Sequence, residues 1–117
     1  MPAVADTVHR YVTLLGAGSA DELVALFTPD ATVEDPVGSG VRRGRDAIHE
    51  LYSRIEKLTR TTELLSLHVV DNEAAFLARL TVVDGSRRTV IEGIDVMTFA
   101  DDARIASMRA FWSAPQH

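Results

Sequence analysis

The sequence contains no cysteine. Thiol nucleophiles, disulfides and cysteine-ligated metals are therefore excluded. It has no apolar run long enough to span a bilayer. It has no surplus of basic charge either: the net charge is −5, which argues against non-specific binding to nucleic acid or to an anionic membrane face. The opening Met1-Pro2-Ala3-Val4-Ala5-Asp6 lacks the charged start and apolar middle of a secretion signal, so the expected compartment is the cytoplasm. The four histidines, His9, His49, His68 and His117, have no metal-ligand spacing. Neither an internal repeat nor a low-complexity tract is present.

What remains is 117 residues with 46% apolar content, enough for one domain with one core and a small pocket. Val4, Val8, Tyr11, Val12 and Leu15 recur at helical spacing, and the periodicity predicts a helix over Asp6 to Leu15. Gly16 and Gly18 stop it. Ser19-Ala20-Asp21-Glu22 fits a capping box and predicts a second helix through Phe27, ended by Thr28-Pro29-Asp30. Pro36 to Gly44 reads as a loop, with Arg42, Arg43 and Arg45 facing solvent or rimming a pocket mouth. A third helix is expected from Arg45 to Leu58, with Ile48, Leu51, Tyr52, Ile55 and Leu58 as its inner stripe.

Strand patterns follow. They cover Leu64 to Val70, Ala74 to Val83, Arg87 to Phe99 and Arg104 to Ser113. Asp71-Asn72-Glu73, Asp84-Gly85 and Asp101-Asp102 mark the turns. The expected fold is α+β: three helices and an antiparallel sheet curled around them into a cone with a mouth.

Two acids sit where acids are costly. In Ala31-Thr32-Val33-Glu34-Asp35, alternation puts Asp35 on the side of Ala31 and Val33, and Pro36 holds it extended. In Ile91 to Phe99, Asp95 shares a face with Ile91, Gly93, Met97 and Phe99. An ionised carboxylate there is expensive without a cation, and a neutral acid with a raised pKa is the cheaper solution. A neutral acid donates a hydrogen bond, and so does the Tyr11 hydroxyl. Two such donors aimed at one carbonyl oxygen would stabilise negative charge forming on it. Asp35, ionised, would then remove a proton beside that carbonyl and return it to another carbon. Tyr52 would hydrogen-bond to Tyr11 and orient it. No cofactor and no metal enter this scheme.

With these segments in view, the chain resembles the steroid Δ5-3-ketosteroid isomerases, within the nuclear-transport-factor-2-like and SnoaL-like group of cone folds. The resemblance rests on Arg10-Tyr11-Val12-Thr13-Leu14, Ala31-Thr32-Val33-Glu34-Asp35-Pro36, Leu51-Tyr52, Ile94-Asp95-Val96-Met97 and Met108-Arg109-Ala110-Phe111-Trp112-Ser113. It covers nearly the whole chain in the same order. It implies a cofactor-independent steroid Δ-isomerase with Asp35 as base, Asp95 and Tyr11 as oxyanion hole, and Tyr52 in support. The family is itself the standard instance of an aspartic acid kept neutral in an apolar site, so the expectation for Asp95 adds no magnitude of its own. The resemblance also implies an apolar pocket, fitted by Leu15, Phe76, Leu80, Val82, Met108 and Trp112. The implied partners are a 3-oxosteroid and a second copy in a homodimer, with no nucleic acid and no membrane. Phe27 stands where some members carry a third tyrosine.

Plainer readings exist for each residue. Asp35 fits a turn before proline, the tyrosines fit a core with satisfied hydroxyls, and a bulge would turn Asp95 outward. Polyketide cyclisation on the same fold and a non-catalytic ligand-binding or dimerisation module are the competing functions.

Overall fold

The computed structural model describes residues 3–113. Three helices, α1 (Val4–Ala17), α2 (Ala20–Val24) and α3 (Arg45–Ser53), accompany six strands. These are β1 (Phe27–Glu34), β2 (Arg42–Arg43), β3 (Thr59–Val70), β4 (Glu73–Asp84), β5 (Arg87–Phe99) and β6 (Ile105–Phe111). They form one curved, unclosed sheet in the order β2-β1-β6-β5-β4-β3. The α+β cone is as expected. One pair, β1 with β6, is parallel, and every other neighbouring pair is antiparallel.

Several boundaries differ from the sequence pattern. Helix α2 begins at its capping box, where the Glu22 N–H donates to Ser19 Oγ and the Ser19 N–H donates to Glu22 Oε1. It ends at Val24, however, and Phe27, Thr28, Pro29 and Asp30 belong to β1. Pairing of Phe27 with Ile105 outweighs the short helical stripe. The 36–44 segment is a loop apart from Arg42 and Arg43, which pair with Val33 and Thr32. Arg42 and Arg45 are not free surface cations. Arg42 donates to the Ala47 carbonyl at 3.2 Å, and Arg45 donates to the Phe27 carbonyl at 2.7 Å. Helix α3 stops at Ser53, and Leu58 is exposed. Strand β3 starts at Thr59, five residues before the apolar pattern does.

The core lies between the concave face of the sheet and the helices. Val8, Tyr11 and Val12 of α1, Leu23 of α2, Ile48 and Tyr52 of α3, and Phe27, Phe76, Met97, Ile105 and Met108 of the sheet are buried together. Arg60 fastens the C-terminal end of α1 to β3 by donating to the carbonyls of Leu15 at 2.6 Å and Gly18 at 2.6 Å. Among the described residues no helix is long and apolar enough to cross a membrane. His117 and the first two residues lie outside the described range.

Candidate active site

Alternation along β1 decides where Asp35 points. Ala31 and Val33 are fully buried while Thr32 and Glu34 are only half-buried. Asp35 continues the inner side and lines a cavity. The chain just after it is fixed to β6, because the Val37 N–H donates to the Ala110 carbonyl at 2.8 Å. Burial pushes the Asp35 carboxyl above the ordinary aspartate range. Two neighbours oppose the rise: the Trp112 indole, whose Nε1–H donates to Asp35 Oδ1 at 2.5 Å, and the Arg42 cation.

The register of β5 puts Asp95 on the inner face. It lies between Phe76 of β4 and Ala110 of β6. Burial, and then the charge of Asp35, raise its pKa to about 7. The asymmetry has a clear cause. Of the two carboxyls, Asp35 has the N–H donor and the nearby cation, so it ionises first and its charge then holds the proton on Asp95.

Tyr11 and Tyr52 reach the same place from α1 and α3. Their hydroxyl oxygens are 2.9 Å apart in a buried hydrogen bond. Burial raises both phenols well above their usual range, so both remain neutral donors. Phe27 and Phe76 pack edge-on to the Tyr11 ring, at 6.4 Å and 6.3 Å between centroids. Phe27 also lies 6.0 Å from the Tyr52 ring, where its lack of a hydroxyl leaves the phenol chain at two members. The charges of both Asp95 and Asp35 act on Tyr11.

These groups share one cavity of about 250 Å³. Tyr11, Asp35, Tyr52 and Asp95 form its polar part, and Leu15, Leu80, Val82 and Trp112 belong to its apolar wall. Phe76 and Met108 do not line it. Both are fully buried beneath the cavity, Phe76 against Tyr11 and Met108 opposite Met97. Sequence pattern gives only the inward face, and Phe76 and Met108 lie too deep on that face. Leu51, Ile55, Ala78, Ile91 and Gly93 belong to the wall as well, and Arg79 also lines the cavity. Leu51 and Ile55 both lie on the stripe that the sequence predicts for the third helix, although Ile55 falls past the end of α3. The Trp112–Asp35 bond joins residues 77 positions apart and had no local signal. Among the described residues no cluster of three or more His, Asp or Glu is arranged to hold a metal. His49 instead bonds to Asp21 at 2.9 Å.

An acid beside an indole donor and a cation, a second acid with a more strongly raised pKa, and a neutral phenol in one apolar hollow are equipped for proton transfer beside a carbonyl. Comparisons with known proteins agree with this chemistry at the level of family. A curated relative, "Steroid Delta-isomerase" of Nocardioides simplex, is 47% identical over 106 residues, covering 91% of this chain and 86% of the relative. A solved structure described as the epoxide hydrolase/cyclase-like enzyme SalBIII in pyran ring formation in polyether salinomycin superposes with a TM-score of 0.86. It is 32% identical and covers 94% of this chain and 90% of its own. The model of the SnoaL-like domain matches residues 8–108, and with that match over most of its length the chain belongs to the SnoaL-like domain family.

Proposed function

We propose that this protein is a steroid Δ5-isomerase, which moves a C=C bond of a 3-oxosteroid from the 5,6 to the 4,5 position. Asp35, as carboxylate, takes a proton from the carbon between the carbonyl and the double bond. The electron pair moves onto the carbonyl oxygen and gives a dienolate. Tyr11 and protonated Asp95 donate hydrogen bonds to that oxygen, and Tyr52 holds the Tyr11 hydroxyl in line. Asp35 then returns its proton to the far carbon of the old double bond, which restores the carboxylate. The proton balance closes within the pocket.

The observation that carries this reading is the meeting of Asp35, Asp95 and Tyr11 in one apolar cavity, with Asp95 raised to about 7. The name of the 47%-identical relative supports it. A second reading, an epoxide-opening or cyclising enzyme, is favoured by the description of the structural neighbour. A carboxylate and a carboxylic acid in one hollow also suit that chemistry. The reading extends to a homodimer, in which a second copy covers Ile94 and Phe111 on the convex sheet face, where they are 48% and 44% exposed. Sedimentation at the mass of two chains is expected, and a monomer at micromolar concentration removes that part of the proposal.

The test of activity is direct. The protein is mixed with 5-androstene-3,17-dione and ultraviolet absorbance of the conjugated enone is followed. Rapid growth that collapses in Asp35→Asn is expected. No growth with folded, intact protein overturns the isomerase and leaves the second reading.

A further inference from the structure

Gly93 lies on the cavity wall, two residues before Asp95 on the same face of β5. Its backbone is not among the positive-φ positions, so main-chain geometry does not require glycine there. A glycine inside a strand weakens it and often marks a close approach. Here the approach is Trp112. A Cβ on Gly93 would stand 3.0 Å from Trp112 Cβ, 3.5 Å from its Cδ1 and 3.2 Å from the Phe111 carbonyl oxygen. The first distance is shorter than the optimal separation of two carbon atoms.

We propose that Gly93 is a positioning residue for the base: by having no side chain, it lets the Trp112 indole lie against β5 and carry its N–H across to Asp35. The kinetic consequence rests on the isomerase reading, and the structural consequence does not. Strand β5 is held on both sides, by β4 and β6. Trp112 lies one residue past the end of β6. When a side chain is added at Gly93, Trp112 is therefore the part that yields. The groups facing Asp35 are then Arg42 from β2, Asp95 from β5, Tyr11 from α1 and Tyr52 from α3. Of these only Arg42 favours its charge. With the indole pushed outward its bond to Asp35 is weakened, so Asp35 keeps its proton to higher pH and is held less firmly in its aim.

Trp112 is the one tryptophan in the chain, so intrinsic fluorescence reads its bond to Asp35 without any substrate. In the native protein, emission is expected to change with pH as Asp35 titrates, and Asp35→Asn abolishes that change. In Gly93→Ala the transition moves to higher pH or vanishes. The kcat for 5-androstene-3,17-dione falls about tenfold with KM little changed, because the aim and charge of Asp35 are weakened rather than the pocket volume reduced. Trp112→Phe has the same effect, and adding Gly93→Ala to it costs little more, since no donor remains to be displaced. A Gly93→Ala variant with native fluorescence titration overturns the proposal, and so does a penalty of equal size in the Trp112→Phe background. If Gly93→Ala does not fold, it is combined with Trp112→Gly. Recovery of a cooperative melt supports the proposal, and continued unfolding overturns it by assigning the obstruction to the Phe111 carbonyl. If the protein does not isomerise the steroid at all, the fluorescence outcome still decides.

Discussion

The two faces of β5 carry acids of opposite character. On the convex face, Glu92 accepts a hydrogen bond from Arg79 at 3.0 Å, and Arg79 also donates to Glu63 at 3.2 Å across β3. This trio is solvated and paired. On the concave face, three residues along, Asp95 lies among apolar side chains and is driven to about 7 by burial and by another negative charge. The strand is the same and the group is a carboxyl in both cases. Water and a partner cation are what differ. A paired, wet acid is a surface feature of small energetic weight. A dry acid without a cation stores free energy that is released when a proton or a hydrogen-bond acceptor arrives.

The concave face is where substitution should hurt most. Asp35→Asn is expected to lower kcat for the isomerisation by about 10⁴-fold, read from enone absorbance, since no other carboxylate there is ionised to take its place. Asp95→Ala and Tyr11→Phe should each lower kcat by about 10²–10³-fold, because one donor to the oxyanion survives in each. If both are silent, the contrast between the faces has no catalytic meaning.

The pH dependence sharpens the comparison. Asp95 must be protonated to donate, so kcat/KM should decline as pH rises through about 7. Stability follows the same sign. The folded pKa of Asp95 is raised from 3.8 to about 7, so its contribution is fully present below about 3.8 and is lost as pH rises through about 7. Asp95→Asn removes that loss, and its melting temperature should exceed that of the native protein at pH 8 but not at pH 4. A native-like decline in the variant would assign the pH dependence to another group. Glu92→Gln, on the wet face, is the smallest effect expected, with kcat unchanged and the melt scarcely moved.

Much of this site was legible in the residues. The inward positions of Asp35 and Asp95 followed from alternation around Val33 and Met97, because the pleat leaves each side chain only two directions. Tyr11 and Tyr52 followed from helical stripes. The third helix and the first β3 residues were less legible. The stripe continues from Ile48 to Leu58, yet the chain leaves the helix after Ser53, where tertiary pairing of Thr59 with Val83 prevails over propensity. Phe76 and Met108 share a face with the cavity wall, but depth along a face is not encoded in a period of two. The Trp112 donor and the space that Gly93 leaves for it join β6, β5 and β1, and no local pattern spans such separations.

By itself the sequence determined the fold class, the face on which each acid lies and the membership of two tyrosines in the core. Those properties depend on periodicity, and periodicity is local. The tertiary structure alone supplied the groups that favour charge on Asp35 over Asp95, an assignment the residues already implied. That choice depends on which carboxyl receives the indole N–H and the Arg42 field. Both are set by distances between strands remote in the chain, and the free energy of a charge in a dry cavity changes steeply with such distances.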